Sequence, residues 1–97
     1  MLDVSLAKEL WRLGFRWTDT EPAGTFELPS LGALLAELER YGFFPELSKE
    51  PDGRYRCILY RLDPSLGGFY ALWSSERYGE TWEDAVGRSL FWAFSLS

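Results

Sequence analysis

Two unbroken apolar runs constrain this chain more than any other feature: Cys57-Ile58-Leu59-Tyr60 and Phe69-Tyr70-Ala71-Leu72-Trp73, set in the stretch RYRCILYRLDPSLGGFYALWSS. A strand with one wet face alternates apolar and polar residues, so a continuous apolar run reads as a strand covered on both faces. Between the runs, DPSLGG (63–68) supplies Pro64 and a Gly67-Gly68 pair, which folds residues 54–62 and 69–75 into an antiparallel hairpin. Tyr55, Cys57 and Leu59 lie on one face of the first arm, Ile58, Tyr60 and Leu62 on the other. Each flank then needs a cover, from this chain's helices or from a second copy.

Three amphipathic segments are available. The first opens at Asp3, a good N-cap, runs through Leu6, Ala7, Leu10 and Leu13 on one stripe, and stops at Gly14. The second opens at Ser30, carries Leu31, Leu34, Leu35, Leu38 and Tyr41 on one face with Glu37, Glu39 and Arg40 elsewhere, and stops at Gly42. Their endings, ELWRLGF (9–15) and ELERYGF (37–43), match because a basic last turn, a glycine and an apolar residue are what a Schellman ending requires, not because a unit is repeated. The third helix lies in GETWEDAVGRSLFWAF, where Thr81 is the cap and Asp84 its capping-box partner. Trp82, Ala85, Val86, Ser89, Leu90, Trp92 and Ala93 share its apolar sector, Phe94 sits at the margin, and Phe91 falls on the polar side.

Between the first two helices, FRWTDTEPAGTFELP (15–29) is a long connection pinned by Trp17 and Phe26, and FFPELSK (43–49) reads as a first strand that Pro45 confines to an edge. The expectation is an α+β fold of order α-α-β-β-β-α. A three-stranded antiparallel meander is covered by helices on both sides, as an α/β/α sandwich, with a homodimer burying the second face as the alternative.

At 97 residues the chain reads as one domain spanning 1–97, long enough to bury roughly 60–68% of its unfolded surface. Fifteen acids against ten bases give a net charge of −5, which disfavours nucleic acid and anionic membranes. Eight of the ten bases are arginine and there is no Asn, Gln or His, a composition suited to a hot or GC-rich source. Cys57 is the lone cysteine, so no disulfide framework is expected. The opening MLDVSLAKELWRL lacks the form of a signal peptide and no run is long enough for a membrane span, so a cytoplasmic protein is expected.

The order of LDVSLAKELWRLGF, a loop bearing Pro and aromatic residues, PSLGALLAELERYGF, a meander ending FYALW, and GETWEDAVGRSLFWAF resembles the phage ABA-sandwich domain family over nearly the whole chain. It departs in its leucine-rich second helix. The resemblance implies a fold and a phage or prophage context, and carries over no functional residues.

For function, the absence of His leaves a nucleophilic Cys57 or serine without its usual base, and leaves no metal-ligand cluster, so the expectation is a non-enzymatic protein without cofactor or metal. From Ser30 onward the element order also matches the double-stranded-RNA-binding domain, yet TWEDAVGR places two acids where that module holds phosphate. A pocket for a nucleotide-like anion is the alternative, with Arg54, Arg56, Arg61 and Trp17 as contacts. The leading expectation is binding to an unknown protein partner, or self-association, through Phe91, Trp92 and Phe94 of the last helix, Tyr78 before it, and Tyr60 or Tyr70 on the outer sheet face.

Overall fold

The computed structural model describes residues 1–19, 27–61 and 74–96. It has three helices and a three-stranded antiparallel sheet, in the expected α+β order: α1 (Val4–Arg12), α2 (Leu31–Arg40), β1 (Phe43–Lys49), β2 (Tyr55–Arg61), β3 (Ser74–Gly79) and α3 (Trp82–Phe94). The elements begin where the caps predict. Asp3 accepts the Leu6 N–H, Ser30 the Ala33 N–H and Thr81 the Asp84 N–H, each at 3.1 Å. After α1, Gly14 takes φ +111°, its N–H reaches the Trp11 carbonyl at 3.1 Å, and the Phe15 N–H reaches Leu10 at 2.9 Å. That is the Schellman pattern, and only a residue without Cβ adopts such a φ freely. After α2, Gly42 takes φ +83° and its N–H reaches the Glu39 carbonyl at 2.9 Å.

The start of α3 differs from expectation in one respect. The Asp84 carboxylate accepts the N–H of Asp3 at 2.7 Å rather than closing a capping box on Thr81. The α3 N-terminus therefore holds the beginning of α1, and the acid serves a long-range link.

β2 is the central strand, with Phe43 opposite Arg61 and Lys49 opposite Tyr55 on one side, and Tyr55 opposite Gly79 and Tyr60 opposite Ser74 on the other. Pro45 lies on β1, an edge strand, where a missing N–H costs least. The third strand runs past its expected end at residue 75. It extends to Gly79, so SERYG joins the ladder and Tyr78 is a strand residue, while residues 62–73, including FYALW, lie outside the described residues. Gly79 permits this: a Cβ there would stand 2.6 Å from the Ala85 backbone nitrogen and 2.9 Å from the Asp84 carbonyl carbon. Strand and helix backbones meet too closely for a side chain.

One face of the sheet, with Phe43, Cys57 and Leu59, joins Leu34 and Leu38 of α2, Ala7 and Leu10 of α1, and Ala85, Val86, Leu90 and Ala93 of α3 in a single buried cluster. α3 is the hub, touching β2, β3, α1 and α2. Among the described residues the helices thus gather on one flank instead of dividing between two. The second face carries Phe44, Glu46, Ser48, Arg56, Ile58, Tyr60, Glu76 and Tyr78, of which Phe44, Glu46 and Glu76 are exposed and the rest half-buried. Among the described residues, long polar arms lie across it. Arg56 pairs with Glu50 at 3.2 Å and Glu76 at 3.1 Å and bonds Ser48, Tyr60 hydrogen-bonds Glu46, and Arg54 lies over the Tyr78 ring at 4.4 Å.

Two stripe assignments also shift. Leu13 and Tyr41 are exposed, because they are the C-cap residues and the helix axis has already ended. Trp11 and Glu37 are buried in their place, Glu37 pairing with Arg40 at 3.5 Å.

Candidate functional site

The helical stripe Arg88, Phe91, Trp92 and Ser95 runs along the outer side of α3 at spacings of i, i+3, i+4 and i+7. Arg77 of β3 and Leu6 of α1 complete the walls of a surface cleft of about 390 Å³. Neither guanidinium is loose. Arg88 donates from Nη1 to the Tyr78 carbonyl at 2.8 Å, covering a main-chain acceptor of the edge strand, and Arg77 donates to the Glu76 carbonyl at 2.9 Å while lying 5.8 Å from the Trp92 ring. Phe91, 39% exposed, stands beside them.

Four other arginines are held by acids. Arg54 is held by Asp52 at 2.7 Å, Arg56 by Glu50 and Glu76, Arg12 by Glu9 and Arg40 by Glu37. Arg77 and Arg88 have no carboxylate partner among the described residues, and neither do Arg16, which donates to the Trp11 and Phe15 carbonyls, and Arg61, which lies by the Phe43 ring. In a chain with fifteen acids, the cleft beside Phe91 thus brings two arginines together with no acid among its described lining residues.

A second cleft, of about 520 Å³, forms where the ends of the three helices converge: Leu13, Tyr41, Ala93, Phe94 and Leu96 meet Phe43 and Arg61. Tyr41 and Phe94 pack edge to face at 5.4 Å, and Arg61 lies 5.9 Å from the Phe43 ring.

The structure therefore sorts the expected contact residues into groups. Phe91 and Trp92 share the arginine cleft, and Phe94 and Arg61 share the second. Tyr60, Tyr78, Arg54 and Arg56 belong to the outer face of the sheet, where both arginines are already engaged by acids. Trp17 donates its indole N–H to the Glu27 carbonyl at 2.8 Å and packs on Trp11 and Phe15, tying down both ends of the long connection. Tyr70 and Phe26 lie outside the described residues. Arg77, Arg88, Leu6 and Ser95 were missed from sequence. The spacing of Arg88 from Phe91 and Trp92 was a readable signal; Arg77 needed the true register of β3.

Cys57 is fully buried under α3 in contact with the Ser89 hydroxyl, and burial pushes its thiol pKa up, the setting of an inert core cysteine. Among the described residues no group of three or more acids or cysteines is placed to hold a metal, and no helix is long and apolar enough to cross a membrane. Compared with protein-family models, curated proteins and solved structures, the chain finds no match.

Proposed function

We propose that this chain is a small non-enzymatic protein of phage or prophage context that acts by binding another protein through the C-terminal half of α3. The observation that carries this reading is the placement of aromatic side chains on both sides of those turns. Phe91 and Trp92 line one cleft and Phe94 the other, with Phe91 and Leu96 exposed. Aromatic and arginine side chains at such a surface are the usual anchors of protein contacts.

A photo-crosslinking residue placed at Phe91, with the same residue at exposed Glu39 of α2 as control, tests it. The reading expects a protein adduct specific to the Phe91 position, and a purified partner whose affinity falls about tenfold or more in Phe91→Ala. Equal adducts at both positions, or unchanged affinity, overturn it. Sedimentation at two concentrations separates a foreign partner from self-association.

The two arginines of this cleft, neither paired with a carboxylate, favour one second reading, a nucleotide-like anion in the same cleft. Thermal shifts across a nucleotide panel address it, with no shift expected if the protein-binding reading is right.

A further inference from the structure

We infer that the cleft between β3 and α3 receives carboxylate side chains of an acidic segment in the partner protein, a refinement that rests on the protein-binding reading above. A guanidinium has five N–H donors in a planar fork. Arg77 and Arg88 each give one hydrogen bond, to a backbone carbonyl, which fixes the arm and leaves the fork available. The remaining walls, Leu6, Phe91 and Trp92, are apolar, and Ser95 donates its hydroxyl to the Trp92 carbonyl at 2.6 Å.

That lining discriminates between anions. Among the described residues it has no amide, carboxyl or imidazole side chain to read the edge of a base. Of the helix starts near it, the first turn of α1, which contributes Leu6, already has the Leu6 N–H bonded to the Asp3 carboxylate, and the first turn of α3 carries Glu83 and Asp84. What it does match is a carboxylate, which takes a guanidinium fork in two parallel hydrogen bonds, followed by an apolar residue against Phe91 and Leu6. The fitting segment interleaves acids with aliphatic or aromatic residues. The chain's net charge of −5 repels such a segment at long range, so recognition falls to these contacts at short range.

The probe is a short synthetic peptide alternating glutamate with leucine and phenylalanine, titrated into the full chain while the arginine Nε–Hε and Trp92 indole resonances are followed. Shifts are expected at Arg77, Arg88 and Trp92. The glutamine analogue of the peptide should bind about tenfold or more weakly, and Arg88→Gln should lose a similar factor for the glutamate peptide, while Arg12→Gln on α1 changes nothing. Arg88→Lys, which keeps the charge and loses the fork, should recover only part of the affinity; a melting curve verifies that each variant is folded. Equal binding of the glutamine analogue overturns the inference. So do shifts confined to the outer sheet face, or a response to ATP and inorganic phosphate with none to the peptide. If a partner captured at Phe91 binds Arg88→Gln with full affinity, the carboxylate assignment falls and the protein-binding reading stands.

Discussion

Leu59 and Tyr60 are neighbours in β2 and opposites in environment. Leu59 is fully buried beneath the helices; Tyr60, on the other face, is half-buried and holds its hydroxyl against Glu46. Among the described residues, the inner face is covered by a layer of helices and the outer by side chains that lie across their own sheet. Both produce an apolar-looking strand in sequence, because a tyrosine ring and an arginine stem cover apolar surface while their polar tips stay outside. A covered face therefore does not require a covering helix.

The largest test of that contrast is a pair of truncations on adjacent residues. Leu59→Ala should cost about 2–5 kcal/mol in urea denaturation, as expected for a fully buried leucine. Ile58→Ala, on the outer face, should cost under about 1.5 kcal/mol. Equal losses would mean the two faces are packed alike. Next comes the contact that seats α3 on the inner face: Gly79→Ala forces a Cβ into the α3 backbone and should cost about 1–3 kcal/mol, at the upper end because backbone cannot swing aside. A smaller effect belongs to the outer lattice. A double-mutant cycle between Arg56 and Glu76 should show only a weak favourable coupling, which added salt reduces further.

The faintest expected effect is electrostatic, and it separates the faces by cause. Burial raises the Cys57 pKa, whereas the hydrogen bond to Glu46 is the main cause raising that of Tyr60. For Cys57, the unfolded thiol ionises near 9.0 and the buried one only at higher pH. Between those values the native state holds more protons than the unfolded one. Stability is then unaffected below about 9.0, falls as pH rises beyond it, and levels off once the buried thiol ionises. The urea midpoint of Cys57→Ala should fall less steeply over that range. For Tyr60, Glu46→Gln should bring the phenol back toward 10.0 in a spectrophotometric titration.

Much of this fold was legible because local rules and tertiary packing agree. Asp3, Ser30 and Thr81 announce the helices, Gly14 and Gly42 end them, and the apolar sector of α3 is the sector that packs. What escaped the sequence was decided by long-range placement. SERYG has no apolar alternation to mark it as a strand; it pairs because Gly79 lets α3 approach. Asp84 obeys the local capping pattern in letters, and its carboxylate is taken by Asp3, far away in sequence. The candidate site was half legible for the same reason: Phe91 and Trp92 stand out on the helix, but the arginines that give their cleft its charge become partners only once β3 is laid beside α3.

Thiol accessibility at adjacent positions of β2 tests the one-sided layering most directly. Native Cys57 is compared with Ile58→Cys in a Cys57→Ala background, each exposed to a thiol reagent under native conditions. The account predicts that Cys57 reacts only through unfolding, at a rate that tracks global stability, while the thiol introduced at Ile58 reacts in the folded protein. If both positions show the same protection, limited by unfolding, the outer face is covered as thoroughly as the inner one, and the contrast on which this account rests is wrong.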